Sequence, residues 1–170
     1  MKIKSERFIP LVVTVGQVAI FPYYIIWLKQ VSLTFTLFAW LFAVFSFSAA
    51  WGYRVFQVKK TTKTAIPIVY IGMGMVYLLV GSMNETHGYL VYGAVLLQII
   101  LGFLQGYFRA WHVKQKSYHI QAVSHYLIVG FTMIGLSFVK VISPTVLITL
   151  FGSVLVGCGV WAFWKKEQGD

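Results

Sequence analysis

Apolar residues in this chain fall in blocks of roughly twenty, each closed by a short polar or basic cluster. That is the length a helix rising about 1.5 Å per residue needs to cross about 30 Å of hydrocarbon. The pattern predicts six spans, near 8–28, 33–56, 65–83, 88–109, 120–141 and 144–164. Lys29-Gln30 closes the first block and Lys59-Lys60-Thr61-Thr62-Lys63 the second. The third stops at the turn Asn84-Glu85-Thr86-His87-Gly88, the fourth runs out between Arg109 and Lys116, and Ser143-Pro144 breaks the last pair. Backbone amides in lipid must be satisfied within the segment, so spans of this kind are helices. The short alternating segments of a β-barrel are absent. The expected fold is an all-α membrane protein, a six-transmembrane-helix bundle forming one domain.

Composition agrees with the pattern. Of 170 residues, 59% are hydrophobic and only 11% charged, against about a quarter in a soluble domain whose surface faces water. The segment Met1 to Arg7 followed by apolar residues resembles a signal peptide, but the run is longer than an h-region and lacks a small-residue cleavage site. It is expected to stay as the first span. Cys158 is the single cysteine, which excludes an intrachain disulfide and a Cys-rich metal site. Between Gly157 and Gly159 it is expected to be a small packing residue.

The formal net charge is +10, yet the basic residues lie in connectors, which points to topology and anionic lipid rather than nucleic acid. Lys2, Lys4, Arg7, Arg54, Lys59, Lys60, Lys63, Arg109, Lys114, Lys116, Lys165 and Lys166 fall on one side, and only Lys29 and Lys140 on the other. Twelve against two predicts that both termini are cytoplasmic, and the small size and short loops point to a bacterial plasma membrane. Connectors this short leave no room for a soluble domain, so function is expected inside the bundle or at its rims.

Small residues predict where helices close on one another. Gly102 and Gly106 form a GxxxG in the fourth span, and Gly72 with Gly74, Gly130 with Gly135, and Gly152 with Gly157 are expected to act alike. A weak internal echo relates Arg54-Val-Phe-Gln-Val-Lys59 to Arg109-Ala-Trp-His-Val-Lys114, and Ile9-Pro10-Leu-Val to Ile66-Pro67-Ile-Val. Tandem helical hairpins would produce it, a known way of building transporters. So would the basic, aromatic exit common to helices at the cytoplasmic interface.

Candidate chemistry is sparse. The acidic residues Glu6, Glu85, Glu167 and Asp170 all lie outside the spans, which argues against a paired acid–base site, a carboxylate metal site or a proton relay. Ser153 has no histidine placed to activate it, so hydrolysis is not expected. Gln17, Gln98 and Gln105 are the polar groups at depth, and Gln98 and Gln105, seven residues apart, share a helix face. They could line a ligand site or pathway, or join helices by hydrogen bonds. Lys140 lies near the outer end of its span and can snorkel to the surface. Of the four histidines, His87 opens the fourth span, His112 and His119 fall in the cytoplasmic connector, and His125 is one to two turns into the fifth. Neutral imidazole ligates haem iron well, and a helical bundle can hold haem between facing histidines. A turn role for His87 and interfacial solvation for His112 and His119 are the competing readings. Asn84-Glu85-Thr86 matches a glycosylation sequon, although so short a turn against the membrane is a poor acceptor.

Residues Leu33 to Val141 resemble the four-helix core of cytochrome b561. The resemblance rests on Tyr53-Arg54-Val55-Phe56 followed by Lys59-Lys60 and Lys63, on His87 ahead of Leu97-Gln98-Ile-Ile-Leu-Gly102-Phe103, and on Tyr118-His119 or His125 ahead of Gly130 and Gly135-Leu136. It implies transmembrane electron transfer through haem b. Members carry a haem-ligating histidine on each of four core helices, whereas the second and third spans here have none, offering Ser32, Thr34, Thr64 and Ile66 instead. Only His87 and His125 (or His119) carry over as iron ligands, at opposite ends of the bundle and roughly 30 Å apart. The implied function is binding of haem b or a quinone-like ligand, in redox or oxidase-assembly work. His87, His125, His119 and Gln98 would line the sites, with Arg54 beside a propionate. A small permease or membrane-embedded substrate-binding subunit is the second reading. The third is an accessory or immunity-type protein acting through helix contacts with a membrane partner or another copy of itself.

Overall fold

The computed structural model of the chain describes residues 2–30, 34–58, 65–83, 90–115, 118–137 and 143–167. They form six helices and no strand: α1 (Lys2–Gln30), α2 (Phe35–Val58), α3 (Ala65–Ser82), α4 (Leu90–Val113), α5 (Tyr118–Ser137) and α6 (Pro144–Glu167). Five are long and apolar enough to cross a membrane, and α5 contributes a shorter apolar stretch, Leu127–Leu136. Local chemistry sets the ends. Thr34 caps α2, its Oγ1 accepting the Leu37 amide at 3.3 Å. Ser143 Oγ accepts the Val146 amide at 3.4 Å, ahead of Pro144, whose missing N–H costs nothing in a first turn.

Helix α1 begins at Lys2, six residues ahead of the expected span, and two further boundaries differ from the sequence expectation. Helix α4 continues to Val113, so His112 is not in a connector but in the helix's last turn, and it is buried. Helix α5 begins at Tyr118, which puts His119 in its first turn rather than in the loop. Beyond Arg109, Ala110 and His112 are buried and Trp111 packs against the core, and the helix follows them.

The two most intimate helix pairs are α2 with α4 and α3 with α6. Helices α2 and α4 run parallel: Gly102 lies against Phe45, Gly106 against Ala49 and Gly52 against Phe103. A Cβ on Gly102 would stand 2.5 Å from the Phe45 carbonyl oxygen, and one on Gly106 would run into that of Ala49. The GxxxG therefore closes a backbone-to-backbone contact. Ser48 stitches it, donating from Oγ to the Ile99 carbonyl at 2.5 Å. Trp51 on Phe103 and Phe56 on Tyr107 flank it edge-on, with centroids 5.2 Å apart in both pairs.

Helices α3 and α6 run antiparallel, with Gly81 against Thr145 and Thr149 at one end and Gly159 against Pro67 and Ile71 at the other. Gly74 and Gly152 face each other midway, a Cβ on Gly74 falling 2.7 Å from the Gly152 carbonyl oxygen. Gly72 meets the Leu104 side chain on α4. Gly130, Gly135 and Gly157, expected to act similarly, do not: a Cβ on any of them meets nothing within 4 Å.

Helix α1 packs on α6 and α5 and reaches α3 and α4 through side chains. The described part of α5 rests chiefly on α1, where the Tyr23 hydroxyl approaches the Leu136 carbonyl at 3.5 Å. Contacts of α3 with α4 (Tyr70 on Phe108, Gly93 beneath Met83) run antiparallel. The C-terminal ends of α2, α4 and α6 consequently lie at one end of the bundle.

Candidate functional site

The centre where α1, α3 and α4 meet holds three glutamines and two tyrosines, with Gln98, Tyr24 and Tyr77 buried and Gln17 and Gln105 half-buried. Tyr24 on α1 donates its hydroxyl to Gln98 Oε1 on α4 at 3.2 Å. Gln105, two turns further along the same face of α4, donates from Nε2 to the Tyr77 hydroxyl on α3 at 3.1 Å. The Tyr24 and Tyr77 rings meet edge to face with centroids 6.3 Å apart, which joins the two bonds into one cluster. Gln17 Nε2 on α1 lies 3.3 Å from the Met73 sulfur on α3. All three glutamines at depth therefore face a partner on a neighbouring helix.

Packing holds this cluster in place. Trp27 lies against Tyr24 at 5.6 Å and Phe151 against Tyr77 at 5.1 Å. Met73 is fully buried and Gln98 is 2% exposed. Amide and phenol groups carry donors and acceptors without a charge, so they can sit in a low-dielectric interior when paired, where an ion would be costly. The arrangement can hold helices together. It can equally exchange one of its bonds for a carbonyl or hydroxyl of a neutral molecule. It offers nothing to compensate a charged substrate.

The remaining expected site residues are dispersed. Arg54 is exposed near the end of α2. His125 and His119 are on α5 by their backbone, and His87 lies outside the described residues. No group of three or more His, Cys, Asp or Glu residues placed to hold a metal occurs among the described residues. His112, buried near the end of α4, lies flat on Phe108 with centroids 5.6 Å apart and planes 9° apart. Tyr24 and Tyr77 went unmarked in the sequence. Their signal was a tyrosine within an apolar span, since a phenol buried at depth needs a hydrogen-bond partner.

Fold and centre together define the class: an all-helical protein with the apolar helices of a multi-pass membrane bundle and an uncharged polar core. Compared with protein-family models, characterised proteins and solved structures, the chain matches none.

Proposed function

We propose that this chain is a six-span plasma-membrane protein, both termini cytoplasmic, that binds a neutral quinone-like ligand at the Tyr24–Gln98 and Tyr77–Gln105 cluster. The observation that carries the reading is the pairing of uncharged amides and phenols at the junction of three apolar helices. A quinone offers carbonyl acceptors on an apolar ring and a lipid-soluble tail. It can accept from a tyrosine hydroxyl or a glutamine amide without bringing a charge into the bilayer. Redox or oxidase-assembly work on a b561-like plan is the setting that fits such a ligand. Haem b held by His87, His125 or His119, with Arg54 toward a propionate, is the second form of this reading.

The orientation rests on the basic residues and the sixth span on α5, whose apolar stretch is shorter than the others. Tandem hairpins are supported by register. Gln17 meets Met73 and Tyr24 meets Tyr77 between α1 and α3, while Gly102 meets Phe45 and Gly106 meets Ala49 between α4 and α2. Segments that echo one another in sequence thus lie roughly level on parallel helices. A small permease fits the same cluster and the same register.

The test is a titration of the protein in mild detergent with a short-chain ubiquinone or menaquinone analogue, read as thermal stabilisation and as quenching of tryptophan emission. Both responses should be lost on Gln98→Leu and on Gln105→Leu. A spectrum before and after dithionite tests the haem form through a Soret band and a sharp reduced α-band. A protein with neither response is not a redox carrier of this kind, and a partner-binding role takes its place.

A further inference from the structure

The end of the bundle where α2, α4 and α6 terminate carries a concentration of cations. Among the residues with described side chains, Arg54, Arg109, Lys114 and Lys165 lie at this end, and Lys29 alone lies at the other. The N-termini of α1 and α3 lie at this end as well, so the partial charges of the helix ends largely cancel and leave these four cations as the charge that an anion would meet.

Lys114 is the best placed of them. Helix α4 ends in a turn in which the Lys114 amide donates to the Trp111 carbonyl at 3.1 Å and the Gln115 amide to that of His112 at 3.0 Å. The turn carries the Lys114 side chain across to α2, where its Nζ stands 5.6 Å from the centroid of the Phe56 ring. Phe56 is held edge-on by Tyr107. The ammonium is thereby positioned over an aromatic face while the residue stays exposed. On α6 the exposed pair Trp161 and Trp164 precedes Lys165, the placement of aromatic rings at a membrane–water boundary. On the membrane reading this places the cations of this end at headgroup depth.

We infer that this end of the bundle binds anionic phospholipid headgroups, with Lys114, Arg54 and Arg109 as the principal contacts. The inference rests on the membrane reading above but not on the ligand cluster or on which leaflet the end faces.

The test is lipid retention by native mass spectrometry. Protein is released from mixed micelles holding equal phosphatidylglycerol and phosphatidylcholine, with thermal stability in each lipid as a second readout. Wild-type protein should retain and be stabilised by phosphatidylglycerol. Arg54→Gln, Arg109→Gln and Lys114→Gln should each weaken that preference by roughly fivefold, the effect of one cation near an anionic surface. Lys29→Gln, at the opposite end, should leave it unchanged. Equal retention of the two lipids, or a preference that survives the three substitutions together, overturns the proposal. So does equal stabilisation by inorganic phosphate, which would mark a site for a soluble anion. If the combined variant does not fold, the single Lys114→Gln decides. Quinone titration of the same variants keeps the two proposals apart, because it reads only the core.

Discussion

The Tyr24 hydroxyl and the Gln98 side chain lock α1 to α4 by a 3.2 Å hydrogen bond inside the bundle, with Gln98 almost completely withdrawn from the surface. Neither residue has water to fall back on. Removing one partner leaves the other buried and unsatisfied, at about 1–3 kcal/mol, while removing both relieves that cost. Gln98→Leu and Tyr24→Phe are each expected to lower thermal stability in detergent. The double variant should lose less than the sum, giving a coupling of about 0.6–2 kcal/mol. A coupling near zero would mean that the bond does not form.

Gly106 and Gly130 make a matched pair of tests. A methyl at Gly106 would run into the Ala49 carbonyl, a backbone atom that cannot swing away, whereas one at Gly130 meets nothing within 4 Å. Gly106→Ala should therefore force α2 and α4 apart and lower the melting temperature clearly. Gly130→Ala should be neutral or gain up to about 1 kcal/mol from better helix propensity. Comparable losses at the two positions would contradict the packing.

Gly74 and Gly152 offer a second check on backbone contact, between helices far apart in sequence. Each would place a Cβ within 3 Å of the other's carbonyl oxygen. Single alanine substitutions should each destabilise. Their combination should be non-additive, because once the helices have separated the second methyl finds room. Thermal unfolding of the three variants measures this.

Orientation has its own experiment. In a Cys158→Ala background, Gln115→Cys places a thiol at an exposed position just past α4 and Ser143→Cys one at an exposed position ahead of α6. A membrane-impermeant maleimide applied to intact bacterial cells should label the Ser143 variant only and reach the Gln115 variant after lysis. The reverse pattern would invert the proposed topology.

How much of this was legible beforehand follows from where each signal resides. The helices were readable because span length and polar interruption are local properties, and the GxxxG of α4 because close helix approach requires small residues four apart. The face shared by Gln98 and Gln105 was equally readable from helical periodicity. Their partners were not, since Tyr24 and Tyr77 lie on other helices and nothing in a single sequence couples them. The end of α4 is not legible locally, because Arg109 reads as an exit while Ala110, Trp111 and His112 beyond it pack into the bundle and carry the helix on.

The sequence by itself determined that the chain is helical and apolar, where most of its helices begin and end, and that its deep polar groups are uncharged. These follow from hydrocarbon thickness, backbone hydrogen bonding and residue type, each a property of a short segment. Only the tertiary structure decided that α2 pairs with α4 and α3 with α6, and that Gly102, Gly106, Gly74 and Gly152 lie in contacts while Gly130, Gly135 and Gly157 do not. It also brought Tyr24, Tyr77, Gln98 and Gln105 into one cluster. The physical reason is that helix association in lipid depends on the fit of two whole surfaces, which composition and periodicity do not specify.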